Sequence, residues 1–318
     1  MPRRKVSLLL LGCCQLLAPG WVRAQGLYIT DFNADSVNRV DFGSTTGGSV
    51  FAALPAGSGP DGLAFDQSGN LYVANYGTST VSKISPGGVV STFVDSSAGL
   101  DSPVNLAFNA NGNLFVLNYG TNTGNNSISE VTPGGTFSTF VGSGTAPTGG
   151  FGLAIDGGGN LFIGSYQTNS ISKVSPGGAV STFVASSAGF NGVYGLAFDS
   201  HGTLYVADNG NNAIDIVTPG GLVSTFIQGG SGLNSPTGLA FDNQGDLLVS
   251  NAADNQISEY SSSGTLLTAN YASGFNDAEF LAFSAVPEPA STGVIIGGFC
   301  ALFALARSAL RRRQGSIR

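Results

Sequence analysis

Apolar and polar residues alternate in short runs along this chain, and one such run returns six times. Its cleanest copy reads Gly62-Leu-Ala-Phe-Asp66-Gln-Ser-Gly-Asn-Leu71-Tyr-Val-Ala-Asn75, a small apolar strand ending in Asp, a Gly turn and a second strand. The large apolar position recurs at Phe65, Phe108, Ile155, Phe198, Phe241 and Phe283, spaced by 43, 47, 43, 43 and 42 residues. Short alternating runs read as strands, and a period in the forties with several of them per unit predicts a β-propeller. Each unit offers four strands; in the second copy strand A covers 62–66, B 71–75, C 81–85 and D 90–94. Strands A and B meet through Asp-x-x-Gly-Asn, where Asp can bond the turn backbone and Gly can take positive φ. Strands C and D meet through Pro-Gly-Gly at 86–88, 133–135, 176–178 and 219–221. Both are tight turns, so they gather on one face, and the longer, more varied B–C and D–A joints gather on the other. Function carried by loops would belong to that second face.

The count of strands predicts how the ring closes. The first copy opens with strand B, Leu27-Tyr28-Ile29-Thr30-Asp31, and the last ends with strand A, Phe280-Leu281-Ala282-Phe283. One missing strand at each end predicts a single blade shared by both ends, and hence an all-β, six-bladed ring of four-stranded blades without a sheet edge at the seam.

Both ends of the chain read differently from the repeats. Residues 1–24 combine a basic start at Arg3-Arg4-Lys5, an apolar stretch over 6–18 and small residues at Val22-Arg23-Ala24, the pattern of a secretory signal cut after Ala24. A rival cut at Leu10-Leu11-Gly12-Cys13 would make Cys13 a lipidated residue. At the far end, Pro287, Glu288 and Pro289 precede an uncharged stretch over about 290–306 and then Arg311, Arg312 and Arg313. That stretch is about 25 Å long as a helix, the short limit for a transmembrane span, and the arginines would stay cytoplasmic. The domains expected are therefore a signal peptide (1–24), the propeller (25–285) and a C-terminal sorting segment (286–318).

Charge narrows the partners. Between residues 25 and 286 there are 18 acidic residues but only three basic ones, Arg39, Lys83 and Lys173, a net charge of −15. Such a surface repels phosphate backbones, which excludes nucleic acid. The cysteines, Cys13, Cys14 and Cys300, all lie in the end segments, so no disulfide or thiolate metal site holds the ring.

The C-terminal order of Pro-Glu-Pro, short apolar helix and Arg-rich end resembles the PEP-CTERM sorting signal of Gram-negative bacteria. That resemblance implies an exosortase-type membrane protease as partner, delivery to the cell surface or matrix, and a setting of exopolysaccharide and biofilm. A plain membrane anchor is the simpler reading of the same tail. The repeats resemble NHL units, clearest at 60–75, 193–208 and 236–251, over about 26–284. NHL propellers are binding scaffolds, and related rings include lactonases of the SMP-30/gluconolactonase type and streptogramin-type lyases.

Three constellations bear on chemistry. The lyase resemblance implies a histidine base, but the only histidine here, His201, sits in an A–B turn slot filled by Ser68, Asn111, Gly158 and Gln244 in other copies, a solvated position. The lactonase resemblance implies a divalent metal at the channel mouth; Asp61, Asn105 and Glu279 are the oxygen donors available for Ca²⁺, or else simply solvated acids. At the ends of the B strands, Asn75-Tyr76, Asn118-Tyr119 and Tyr166, with Phe32 beside them and Tyr194 at the mouth, suit carbohydrate, ring against C–H face and amide against hydroxyl. The alternative is that these tyrosines pack between blades while Asn caps the B–C turn. The expected function is an exported surface protein that binds a glycan or another protein, with a metal-dependent lactonase and a ligand-free structural coat as the other readings.

Overall fold

Each expected unit folds into a four-stranded antiparallel sheet, and six such blades occur among the residues described by the computed structural model, 26–41, 48–121 and 126–284. The signal segment, the sorting motif Pro287-Glu288-Pro289, the apolar stretch at 290–306 and the arginine cluster lie outside the described residues. Among the described residues no helix is long and apolar enough to cross a membrane.

The first blade is assembled from both ends of the domain. Its innermost strand is Ala278–Phe283, followed outward by Gly26–Asp31, Ser36–Asp41 and Ser49–Ala53. Leu281 pairs with Ile29 and Ala282 with Tyr28. The Thr30 hydroxyl accepts from Phe280 N–H at 3.2 Å and faces its carbonyl at 3.4 Å, and Ser284 N–H donates to the Gly26 carbonyl at 3.3 Å. Each inner strand packs against the next all the way round, including Ala278–Phe283 against Pro60–Phe65.

The strand limits differ slightly from those read in the sequence. In the second blade strand A is Pro60–Phe65, two residues earlier at its start and one shorter at its end. Its start is extended because Pro60 pairs with Asn75 across a bulge that skips to Leu63. It stops before Asp66 because that carboxylate turns back to accept Ser68 N–H at 2.9 Å and Asn70 N–H at 2.8 Å. The Asp therefore builds the turn instead of extending the strand.

Aromatic rings join one blade to the next. Tyr28 stands edge-on to Phe51 of its own blade (4.9 Å) and to Phe65 of the next (5.1 Å). Tyr72, Phe162 and Tyr205 repeat the arrangement with Phe108, Phe198 and Phe241. The repeating Phe of the sequence is thus the inter-blade contact, and edge-to-face pairs of this kind add about 1 kcal/mol beyond area burial. The three basic residues share one register position in strand C, opposite these rings: Arg39 pairs with Tyr28, Lys83 with Tyr72 and Lys173 with Phe162. Each cation lies 5.3–5.7 Å from a ring centroid, near the tight-turn face.

On the loop face a polar latch repeats around the ring. A side chain in each B–C turn accepts a backbone N–H at the start of the next blade's strand A. The pairs are Asp35–Gly59 (2.8 Å), Ser79–Ser102 (3.1 Å), Asn126–Gly149 (2.8 Å), Asn169–Gly192 (2.7 Å), Asn212–Ser235 (2.6 Å) and Asn255–Ala278 (3.2 Å). Asp35, Ser79, Asn169, Asn212 and Asn255 all have φ between 48° and 53°. Asn and Asp tolerate this left-handed conformation better than most side chains.

Candidate functional site at the loop-face mouth

A bulge near the start of strand A creates the site. The ladder skips residue 61 between Pro60 and Leu63, residue 151 between Gly150 and Gly152, and residue 194 between Val193 and Leu196. Residue 279 is skipped in the same way across the seam. A bulge frees a residue from pairing and re-aims its side chain. The glycines that follow make the inner strands crowd together: a Cβ on Gly152 would lie 2.0 Å from the Tyr194 carbonyl, and one on Gly195 2.0 Å from that of Thr237. At Gly152 and Gly195 the level is so tight that only glycine fits, and above it the freed side chains gather.

They line a cavity of about 290 Å³ whose wall comprises Phe32, Asp61, Tyr76, Tyr119, Phe151, Tyr194, Asp277 and Glu279. The rings form an arc, with centroid separations of 6.0 Å for Phe32–Tyr76, 6.4 Å for Tyr76–Tyr119, 5.0 Å for Tyr119–Phe151 and 5.0 Å for Phe151–Tyr194. Tyr166, 46% exposed, stands at the rim with its ring 5.1 Å from Tyr194. Gln167 donates to the Tyr119 hydroxyl at 3.2 Å and fixes that ring from outside.

The acids close the arc. Asp61 is only 5% exposed. Burial, and then the charges of Glu279 and Asp277, hold its carboxyl well above the usual range. Burial followed by the Asp277 charge pushes Glu279 up to about 7, and Asp277 is raised by its own burial and by Asp31. The Tyr194 phenol is raised by burial and by the Glu279 charge next. Backbone bonds hold Glu279 in place: its carbonyl accepts from Thr237 at 3.1 Å and from Ser250. Since Arg39, Lys83 and Lys173 all lie toward the other face, no basic side chain of residues 25–286 offsets these carboxylates.

The two residue sets expected from sequence, aromatic and acidic, therefore meet in one cavity, with three corrections. Asn75 and Asn118 do not reach it. Asn75 donates to Thr80 and Ser82 (2.9 and 2.8 Å), and Asn118 to Ser127 and Ser129 (3.3 and 3.0 Å), so both are buried cross-strand ties inside their blades. Asn105 also turns away, donating to the Phe151 carbonyl at 2.9 Å and accepting from Leu106 N–H at 2.8 Å. The donor set Asp61–Asn105–Glu279 does not fit Ca²⁺, because the amide is already spent on the inner strands. Among the described residues, one acidic trio brings its oxygens within 4.8 Å of one another, Asp242, Asp246 and Glu259, and it sits at an A–B turn on the opposite face.

Sequence reasoning missed Asp277, which lies two residues before Glu279 in an irregular D–A joint with no counterpart in other copies. Phe151 stands just before the strand-A glycine Gly152, as Asp61 stands before Gly62, but only the bulge brings it into the aromatic arc. His201 is where the turn pattern put it: its side chain is 86% exposed, its N–H donates to Asp199 at 2.9 Å, and it follows the end of strand A remote from Tyr194.

Comparison with known proteins agrees with this architecture. No curated protein matches the chain. Among solved structures it is similar to a chain of a nidogen/laminin complex, at TM-score 0.68 and 16% identity over 82% of this chain and 98% of that one. It is also similar to a catalytically inactive histidine-to-alanine form of virginiamycin B lyase from Staphylococcus aureus with quinupristin (TM-score 0.58, 16% identity, 83% and 93% covered). A putative gluconolactonase gives TM-score 0.58 at 17% identity over 72% and 82%. At these identities the likeness is one of fold. The sequence pattern of the virginiamycin B lyase family matches residues 55–273, a span that takes in five complete blades. The chain thus belongs to the virginiamycin B lyase family.

Proposed function

We propose that this family member is an exported, non-enzymatic binding propeller that takes a glycan at the loop-face mouth and is delivered to the cell surface or matrix by an exosortase route. The observation that carries the reading is the arc of Phe32, Tyr76, Tyr119, Phe151 and Tyr194 around one small cavity. Aromatic faces cover the apolar C–H surface of a sugar, while tyrosine hydroxyls and carboxylates bond its hydroxyls. The cavity volume falls at the lower edge of small-ligand sites, enough for a sugar unit and too small for a protein domain.

A lyase reading finds no support in the residues. One solved relative is inactive when a histidine is replaced by alanine, whereas the lone histidine of this chain is exposed in a turn on the opposite face. A metal-dependent lactonase reading loses its third ligand with Asn105. The test is binding to a glycan array by the full-length protein and by Tyr76→Ala and Tyr119→Ala. Array binding that both substitutions abolish is the expected result. Binding that survives both moves the ligand elsewhere, and the absence of any glycan signal from folded protein ends the carbohydrate reading.

A further inference from the structure

The charge at the mouth points to more than a neutral sugar. Asp61 is nine-tenths buried, lines the cavity and, among the described residues, has no hydrogen-bond donor on its carboxylate. Glu279 lies across the seam beside it, likewise without a side-chain donor among the described residues, and Asp277 accepts from the Asn33 amide at 2.9 Å. Two other buried carboxylates are satisfied by contrast: Asp31 accepts two backbone N–H groups, and Asp208 accepts one plus the Asn211 amide. A buried acid that lacks both donors and a counter-cation is costly unless something supplies them. Around it stand π faces, whose quadrupoles attract cations and strengthen that attraction as water is excluded.

Resting on the reading of this mouth as a binding site, we infer that its ligand enters by an organic ammonium group, held by the carboxylates of Asp61 and Glu279 and the ring faces of Tyr76, Tyr119 and Tyr194. A bare metal ion would use the carboxylates and leave the arc of rings unexplained. A neutral sugar would use the rings and could give the two acids hydroxyl donors, but it would bring no counter-charge to them. An ammonium borne on a sugar, as in a glucosamine unit, uses both. Burial and the Asp277 charge push Glu279 up to about 7, so an incoming cation, which favours its ionised form, releases part of a proton to solvent near neutrality.

Isothermal titration of the full-length protein with choline, glucosamine, N-acetylglucosamine and glucose tests this. Choline carries a permanent charge, so its pH dependence reports the protein alone. Choline and glucosamine should bind at least about tenfold more tightly than the two neutral sugars. Choline affinity should fall about tenfold from pH 8 to pH 6, the change in ionised fraction of one carboxyl titrating near 7. Asp61→Asn and Glu279→Gln should each remove the preference for charge, with an unchanged far-ultraviolet circular dichroism spectrum showing that the ring is intact. Equal affinity for glucosamine and glucose overturns the inference while leaving the carbohydrate reading in place. Choline binding without any sugar binding supports the ammonium and removes the carbohydrate. Binding of neither choline nor glucosamine to folded protein overturns the inference.

Discussion

The Asp31 carboxylate accepts the backbone N–H groups of Asn276 and Asp277, at 2.8 and 3.0 Å, across 245 and 246 residues of sequence. One side chain near the start of the domain thus seats the loop that leads into the last strand. The ladder between Gly26–Asp31 and Ala278–Phe283 carries the rest of the closure. Asp31→Ala leaves two N–H groups without their charged acceptor, and hydrogen bonds to charged groups contribute about 1.5–3 kcal/mol each. We expect a loss of about 3 kcal/mol in denaturant unfolding. Deletion of 280–283 should prevent cooperative folding altogether, and a truncated protein with an unaltered melting temperature would refute the closure.

The loop-face latches make a separate expectation. Asn212 accepts Ser235 N–H at 2.6 Å from a backbone at φ 52°. Asn212→Ala removes the bond and places a less tolerant residue in the left-handed region, for about 1–3 kcal/mol in total. Asn212→Gly relieves the backbone strain and should recover part of that loss. Equal destabilisation by Ala and Gly would show that the conformation contributes nothing.

The buried acids fix the sign of the pH response. Glu279 sits at about 7 in the folded ring against an ordinary glutamate, and Asp215, buried and beside Asp208, at about 6. A carboxyl raised on folding contributes stability that is fully present below its unfolded pKa and is lost as pH climbs through the folded one. The melting temperature should therefore increase as pH falls from about 8 to about 5. Glu279→Gln should flatten the upper half of that increase, and a melting temperature that drops steadily over the same interval would contradict the burial of these groups.

His201 offers a control for chemistry. Its imidazole is exposed and its slot accepts Ser, Asn, Gly or Gln in the other blades. His201→Ala should change stability by no more than about 0.5 kcal/mol and leave ligand binding unaltered. A measurable loss of ligand binding or of any hydrolytic activity in this variant would reopen a catalytic role.

Much of the ring was legible because its determinants are periodic. The Phe at 65, 108, 198, 241 and 283, the Asp-x-x-Gly-Asn turns and the two incomplete end units repeat with the fold, and each predicted strand has its counterpart. The latches also repeat, at 35, 79, 126, 169, 212 and 255, yet polar turn residues look alike whether they meet solvent or a neighbouring backbone. The mouth was half legible. Asp61, Glu279 and Tyr194 were expected at the mouth, but their gathering depends on a bulge, and a bulge leaves no separate mark in the pattern. Asn75 and Asn118 misled for the opposite reason: adjacent to tyrosines in sequence, they point to the other side of the strand, where period-2 alternation sends every next residue.

Gly26 and Ser284 lie side by side where the shared blade meets the tight-turn face, whereas Phe32 and Glu279 open at the other face. The strand Ala278–Phe283 thus has Glu279 near its loop-face end and Ser284 just past its tight-turn end. A molecule that enters over Glu279 therefore meets the ring from the side opposite Ser284, and the seam that joins the two ends of the domain stays clear of its path.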